Sequence, residues 1–244
     1  MTLLENEVIE DLQLNGIKII QKKNGFKFGT DAVLLSDFSK DIHSQKTLDL
    51  CSGSGIIPLL LTQKTRTKKI VALEIQKEMC KMAARSVEMN NLSDTIEVVN
   101  LDLNNSVELF GKRQFDLITC NPPYMKKDSA LLNEDDSKII ARHEVLCTLE
   151  DIIRVSSMLL DTTGHLAMVH KPQRFCEMTY LMQKYNLAPK RIRFVQKTAK
   201  ESPELVLCDA LYGAKSDVKI LPPLIMYDDA GNETSEMKKI YGRI

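Results

Sequence analysis

From residue 47 onward, short apolar runs alternate with longer amphipathic segments. The short runs predict buried strands, and the longer segments repeat apolar residues at helical spacing and predict helices. This alternation is typical of an α/β fold in which helices cover both faces of a doubly wound, mostly parallel sheet. Two further β-rich runs near the end predict an antiparallel pair that closes one edge of a seven-stranded sheet. The predicted strands are 47–51, 70–74, 95–99, 115–120, 164–170, 191–196 and 204–211, and the predicted helices are 56–65, 76–90, 149–160 and 174–185.

The two ends of the chain depart from this pattern. Near the start, the runs 16–20 and 26–28 flank Asn24-Gly25, a strong signal for a hairpin turn. The segment 29–35 follows as a capped helix start. The polar, proline-containing end predicts a partly ordered strand and extension. We therefore predict a single domain over 1–244, with a hairpin and lid helix in 1–45, a core in 46–218 and a C-terminal extension in 219–244.

Composition and charge exclude several classes of protein. Hydrophobic residues make up 43% and charged residues 27%, which excludes disordered and fibrous chains. Lys+Arg and Asp+Glu both number 33, so any polyanion would have to bind a local basic patch. The sequence has neither a long apolar stretch nor a signal peptide, and we expect a cytoplasmic protein. The six cysteines are isolated, without a C-x-x-C pair, so we expect reduced thiols and no metal site.

A glycine-rich loop follows the first core strand. Asp49-Leu50-Cys51-Ser52-Gly53-Ser54-Gly55 leads into a helix, and its glycines allow a ligand to approach the backbone. Glu74 ends the next strand, where a carboxylate can accept hydrogen bonds from ribose hydroxyls, and Asp102 follows the third. Because carboxyl ends of parallel strands share one crevice, these acids predict a nucleoside cofactor site. Pro58 stands where a dinucleotide motif would need a third glycine, which weakens the NAD interpretation.

The most specific motif is Asn121-Pro122-Pro123-Tyr124, directly after the fourth strand. The Asn side-chain oxygen and the Pro122 carbonyl can both accept hydrogens from a planar NH₂ group, and the Tyr124 ring can stack on the system that bears it. The prolines restrict the backbone and hold this geometry. Such an amine is weakly nucleophilic, so it needs orientation and a strong electrophile, for which a sulfonium methyl group is suited.

Together, the acidic glycine loop, Glu74, Asp102 and the N-P-P-Y tetrad resemble the class I S-adenosylmethionine-dependent amino-methyltransferases. Within these, the whole chain is similar to the bacterial tRNA(Val) (adenine-37-N6)-methyltransferase family, and the matching segments are 28–35, 49–58, 121–124, 141–144 and 189–193. The resemblance implies S-adenosylmethionine as the cofactor and a class I methyltransferase domain with a Rossmann-like sheet. It also implies that Thr30, Gly53 and Gly55 lie against the methionine part of the cofactor. Glu74 would hold the ribose, Asp102 the adenine, and Asn121 to Tyr124 the target base. Asp49 and Asn121 complete the predicted cofactor site. Cys51 departs from the glycine found in many members, and we expect altered packing there with cofactor binding retained.

The substrate is open to more than one interpretation. The motif also suits protein glutamine-amide and DNA adenine methyltransferases, and a non-catalytic tRNA-binding module is the alternative outside enzymes. No separate target-recognition domain of the kind that DNA methyltransferases often carry is visible in the sequence, which favours a compact RNA or protein substrate. The predicted acceptor is an adenosine in a tRNA anticodon loop, where a base that is already splayed out is cheaper to extrude. The predicted catalytic residues are Asn121, Pro122 and Tyr124, and the predicted substrate-binding residues are Pro123, Lys126, Arg142, Lys171, Arg174, Lys190, Arg191 and Arg193.

Overall fold

A central sheet flanked by helices organises the chain. The structure is a computed structural model and describes residues 3–23, 29–123, 147–215 and 217–243. The long strands are β1 (Glu7–Asp11), β2 (Lys18–Lys22), β3 (Lys46–Leu50), β4 (Lys69–Glu74), β5 (Ile96–Asn100), β6 (Phe115–Cys120), β7 (Leu160–His170), β8 (Leu187–Gln196) and β9 (Leu205–Tyr212). Two short strands follow, β10 (Lys219–Ile220) and β11 (Leu224–Ile225).

The order of the main sheet is β10-β8-β9-β7-β6-β3-β4-β5, and β11 also pairs with β8. β9 runs antiparallel to its neighbours β7 and β8, and the other pairs are parallel. The predicted α/β class and the seven core strands are therefore confirmed, with two short strands added at one edge. Because the chain leaves β3 towards β4 and later returns to pair β6 on its other side, the sheet has a switch point between β3 and β6, where such sheets bind ligands.

Helices cover both faces of this sheet. They are α1 (Thr30–Phe38), α2 (Ile56–Lys64), α3 (Lys77–Met89), α4 (Ser106–Phe110), α5 (Leu149–Leu159), α6 (Phe175–Lys184) and α7 (Ser235–Ile240). Two apolar clusters fill the space between helices and sheet: one includes buried residues of α1 and α2, and the other includes those of α5 and α6. Adjacent β6 residues Leu117 and Ile118 belong to different clusters, as expected for a strand buried on both faces.

The structure describes a hairpin near the start of the chain that the sequence analysis did not predict. β2 pairs antiparallel with the preceding β1, which the sequence analysis did not identify as a strand. The turn is closed by a hydrogen bond from Leu12 N to Ile17 O of 2.9 Å, and Asn15 and Gly16 adopt left-handed backbone angles. A second Asn-Gly pair, at 15–16, therefore forms the described turn. Asn24-Gly25 and the run 26–28 lie outside the described residues.

The C-terminal segment is more ordered than the sequence suggested, because it ends in a helix that was not predicted. The Thr234 hydroxyl accepts from Met237 N at the start of α7, and Met237 and Ile240 are buried. The Lys64 ammonium of α2 donates to Asp37 Oδ1 at 3.0 Å and to Ile240 O at 2.7 Å. The end of α7 is thereby fixed to α1 and α2.

Candidate active site

The carboxyl ends of β3, β4 and β6 lie side by side. Leu50 pairs in register with Leu73 on one side and with Cys120 on the other. The residues that follow or end these strands, Cys51, Glu74 and Asn121, therefore meet at one edge of the sheet. The structure brings the predicted glycine loop, carboxylate and N-P-P segment together at the switch point.

The glycine loop is a tight left-handed turn. Cys51, Gly53 and Gly55 have φ angles of 57°, 56° and 83°. A Cβ added at Gly55 would lie 3.2 Å from the Ala83 Cβ, so the loop packs closely on α3. The positive φ of Cys51 explains why glycine suits this position in other methyltransferases, since a side chain there strains the backbone.

Glu74 is 4% exposed and organises this loop. Its Oε2 accepts from Gly53 N and its Oε1 from Gln76 N, both at 2.8 Å. A carboxylate oxygen can accept more than one hydrogen bond, so these contacts fix the side chain and leave capacity for hydroxyl donors.

Asp49 lies in β3, two residues before Cys51, and is fully buried. Its Oδ1 accepts from the Thr119 hydroxyl at 2.6 Å, and its Oδ2 has no hydrogen-bond partner. Burial raises the pKa of this carboxyl to about 7, because desolvation disfavours the charged form; the Thr119 and Ser52 hydroxyls oppose the rise, and the Glu74 charge adds to it. Thr119 was missed by the sequence analysis, although a threonine within the apolar run 115–120 was a signal for a buried polar contact.

Asp102 and Thr30 occupy the flanks of this edge. Asp102 caps a short 3₁₀ turn, since its Oδ1 accepts from Asn104 N at 2.9 Å. Thr30 begins α1, and its hydroxyl oxygen accepts from the Tyr241 hydroxyl at 3.4 Å. Both residues therefore have contacts within the protein that stabilise local structure.

The N-P-P segment directly follows β6. Asn121 is half-buried, Pro122 is buried and Pro123 is exposed. Tyr124, Lys126 and Arg142 lie outside the described residues, and their predicted roles stay predictions.

Three cysteines surround the same edge. A hydrogen bond with the Cys120 thiol and burial raise the pKa of Cys51, which also contacts Cys147. Burial raises the pKa of Cys120. These thiols are neutral at physiological pH. Within the described ranges, no group of three His, Cys, Asp or Glu side chains is arranged to hold a metal ion.

Two predicted basic residues lie at this edge. Lys171 and Arg174 follow β7, which pairs with β6 in parallel, with Met168 opposite Cys120. His170, the last residue of β7, is 5% exposed, and its Nδ1 accepts from Lys171 N at 2.8 Å. Burial, followed by the Arg174 charge, lowers the pKa of His170 to about 4, so its ring is neutral.

The other three basic residues are not brought to Asn121. They lie on β8, three strands from β6, or about 14 Å at ordinary strand spacing. Arg191 Nε donates to Asp209 Oδ2 at 2.9 Å, and its guanidinium lies 4.7 Å from the centre of the Phe38 ring. Arg193 binds Pro222 O and Glu236, and Lys190 Nζ donates to Lys215 O at 2.8 Å. These contacts stabilise the sheet edge and the C-terminal segment.

Asp209 joins two strands and was also missed. It is 1% exposed, and His165 Nδ1 lies 2.7 Å from its Oδ1 while Arg191 binds its Oδ2. The acid partner lies 18 residues after Arg191 on an adjacent strand, so no local sequence signal reveals the pair.

A mostly parallel sheet with this switch point, glycine loop and buried acid is typical of a class I S-adenosylmethionine-dependent methyltransferase. The family model described as "Methyltransferase small domain" matches residues 20–197, and the chain belongs to this family. Among solved structures, a predicted O-methyltransferase from Agrobacterium tumefaciens superposes with a TM-score of 0.70 at 22% identity, covering 87% of this chain and 96% of that one. The 16S rRNA N2 G1207 methyltransferase of T. thermophilus, in complex with AdoMet and guanosine, gives a TM-score of 0.60 at 16% identity and covers 87% and 52%. These two likenesses concern the fold.

Sequence relatives are more specific. A Flavobacterium johnsoniae protein named tRNA1(Val) (adenine(37)-N6)-methyltransferase is 30% identical over 189 residues, which cover 77% of this chain and 79% of the relative. A Porphyromonas gingivalis protein of the same name is 31% identical over 189 residues, covering 75% and 73%.

The residues at the sheet edge fit S-adenosylmethionine, the cofactor of this class. The Glu74 carboxylate suits a diol, and the loop at Gly53 and Gly55 presents backbone without side chains. The unpartnered oxygens of Asp49 and Ser52 are polar groups beside that loop. No helix within the described ranges is long and apolar enough to span a bilayer.

Proposed function

We propose that this protein transfers a methyl group from S-adenosylmethionine to the N6 amine of an adenosine in a tRNA anticodon loop, of the tRNA(Val) adenosine-37 type, in the cytoplasm. The observation that carries the proposal is the position of Asn121-Pro122, which directly follows β6 next to the glycine loop and Glu74. The names of the relatives support adenosine 37 of tRNA as the acceptor.

The cofactor residues each have a role in this proposal. Glu74 accepts from the ribose hydroxyls, and Asp102 accepts from the adenine amine with the oxygen that does not cap its turn. Gly53 and Gly55 allow the backbone to approach the methionine part. The remaining members of the cofactor site are Thr30, Asp49 and Asn121.

The acceptor side works by orientation. The cofactor supplies an electrophilic methyl group. The side-chain oxygen of Asn121 and the carbonyl of Pro122 accept the two amine hydrogens and turn the nitrogen towards that group. Tyr124 stacks on the base, and Pro123, Lys126 and Arg142 contact the neighbouring RNA. The protein forms no covalent intermediate, and the proton leaves the methylated amine for solvent.

The basic residues at the carboxyl edge bind the RNA backbone. Lys171 directly follows β7, the neighbour of β6, and Arg174 lies three residues further on, where its guanidinium also donates to Glu177. We expect both side chains to contact phosphates near the flipped adenosine. Lys190, Arg191 and Arg193 were predicted to hold the tRNA body; their contacts with Lys215, Asp209 and Glu236 favour a role in stability. The whole chain, 1–244, acts as one methyltransferase domain in this proposal.

The test is mass spectrometry of nucleosides from tRNA(Val) transcript incubated with protein and methyl-labelled cofactor. We expect N6-methyladenosine in the anticodon-loop fragment, none with Asn121→Ala, and none with a transcript that carries guanosine at position 37. Label in a glutamine-containing protein or in DNA adenine, with none in tRNA, would contradict this function. The protein would then be a methyltransferase that acts on protein glutamine or on DNA adenine.

A further inference from the structure

Gln21 is a buried amide without partners. It lies in β2, its residue is 1% exposed, and neither Oε1 nor Nε2 makes a hydrogen bond. Burying an amide without hydrogen bonds destabilises a fold, so such a group requires an explanation. Nothing in the hairpin provides one, because the backbone pairing of Gln21 with Val8 would be the same for an apolar residue.

β2 lies along the first turns of α3. Ile20 N donates to Ser86 Oγ at 3.0 Å, and Lys22 Nζ binds Glu78 Oε2 at 2.9 Å. Gln21 stands between these two contacts, level with residues 78–86 of the helix. Because α3 begins three residues after Glu74, the Glu78 end of this span lies at the carboxyl edge of the sheet, and Gln21 is the residue next to Lys22 at that end of β2.

The glycine loop flanks the same part of α3. A Cβ built at Gly53 would lie 3.9 Å from Met79 Cε, and one built at Gly55 would lie 3.2 Å from Ala83 Cβ. Gln21 and the loop thus approach the same two helical turns, one from β2 and the other from the end of β3.

Unpartnered polar atoms gather at this edge. Among the described residues, the buried side-chain atoms without hydrogen bonds belong to Gln21, Asp49, Ser52 and Ser156. Asp49 and Ser52 lie at the loop, and Gln21 lies on the strand beside the same part of α3, whereas Ser156 lies on α5, which packs on the opposite face of the sheet. The ammonium and carboxylate of the cofactor's amino-acid end match the Gln21 amide, which can both accept and donate.

We propose that Gln21 belongs to the S-adenosylmethionine site and that its side-chain amide binds the amino-acid end of the cofactor. The amide is covered by protein, so binding requires a local shift around the end of β2 and replaces an unpaired amide by a paired one. The proposal depends on the cofactor and is independent of the RNA substrate.

The test compares Gln21→Leu with the wild type in two measurements: urea unfolding of the cofactor-free protein, and calorimetric titration with S-adenosylmethionine. We expect a variant at least as stable as the wild type, because an unpaired amide is lost, and an affinity about tenfold lower. Titration with 5′-methylthioadenosine, which lacks the amino-acid end, should give the same dissociation constant for both proteins. Gln21→Met repeats the test if the Leu variant does not fold.

Ser156→Ala is the matched control, since it also removes a buried unpartnered polar atom but lies on the opposite face. It should leave the affinity for S-adenosylmethionine unchanged. Unchanged affinity in the Gln21 variants would overturn the proposal and leave the amide as a feature of the fold alone. Equal losses for both ligands would also overturn it, because they would indicate a change in pocket shape. No RNA is present, so failure here is distinct from failure of the proposed function.

Discussion

Glu74 combines a structural and a proposed binding role in one carboxylate. Its two oxygens hold the backbone N–H groups of Gly53 and Gln76. Glu74→Gln keeps the shape but removes the charge and turns one acceptor into a donor. We expect calorimetry to show at least a tenfold loss of cofactor affinity, because the change removes a charge-assisted hydrogen bond that contributes about 1.5–3 kcal/mol.

The control for this change is Glu78→Gln. Glu78 lies on α3, the helix that follows Glu74, and the change removes an exposed carboxylate that pairs with Lys22 of β2. Its cofactor affinity should equal that of the wild type. A folded Glu74→Gln protein that binds as tightly as the control contradicts the assignment of Glu74 to the ribose.

Asp49 makes stability depend on pH. Its pKa is raised from 3.8 to about 7, so between these values the folded protein holds a proton that the unfolded chain has released. Stability due to this group is therefore present at low pH and is lost as pH rises towards 7. Asp49→Asn should remove this loss, and urea unfolding should give a variant-minus-wild-type difference in unfolding free energy that grows by a few kcal/mol from pH 4 to pH 8.

His170 has the opposite effect, since its lowered pKa makes the protein less stable as pH falls from 6.5 towards 4. The contribution of His170 is the same in the wild type and in Asp49→Asn, so it cancels in the difference between their unfolding free energies. A difference that stays constant over this pH range would show that Asp49 is ionised throughout.

At the scale of secondary-structure elements, Arg191 connects β8 with β9 and α1. Its removal leaves the buried carboxylate of Asp209 with only His165 as a side-chain partner. Arg191→Ala should lower the free energy of unfolding by about 2 kcal/mol, less than for a fully buried pair because the arginine is partly exposed. Urea unfolding measures this change.

Lys190→Ala, the neighbouring change, should alter stability by less than about 0.5 kcal/mol because the hydrogen bond from Lys190 to Lys215 O is exposed to solvent. If Arg191→Ala instead weakens tRNA binding at unchanged stability, the original prediction of an RNA contact is correct.

Elements buried in the sheet were predictable, and those that depend on distant partners were not. The predicted bounds of β6 coincide with the observed Phe115–Cys120, because a parallel strand covered on both faces is rich in apolar residues. β7 begins earlier than predicted, at Leu160. The helix α7 was missed because it has six residues, of which Met237 and Ile240 are buried against the rest of the fold. In the same way, the acids at strand ends indicated the site, but Gln21 gave no signal in a chain segment that precedes the core.

At the scale of the whole molecule, a chain without net charge must bind a polyanion through few contacts. We expect Lys171→Ala to lower the slope of log affinity for tRNA against log salt concentration by about 0.7–0.9, the value for one lost phosphate contact. Filter binding across a salt series measures the slope. Lys190→Ala should leave it unchanged, and equal slopes for all three proteins would exclude Lys171 from the RNA interface.

The position of β3 between β4 and β6 also determines the order in which a nascent chain can assemble. Gly53 and Glu74 leave the ribosome early, whereas β6 begins only at Phe115. Until then, one edge of β3 is unpaired, and an apolar strand edge is a template for pairing with other chains. The half proposed to bind the cofactor therefore has an unpaired strand edge during the interval before the residues proposed to bind the methyl acceptor have been synthesised.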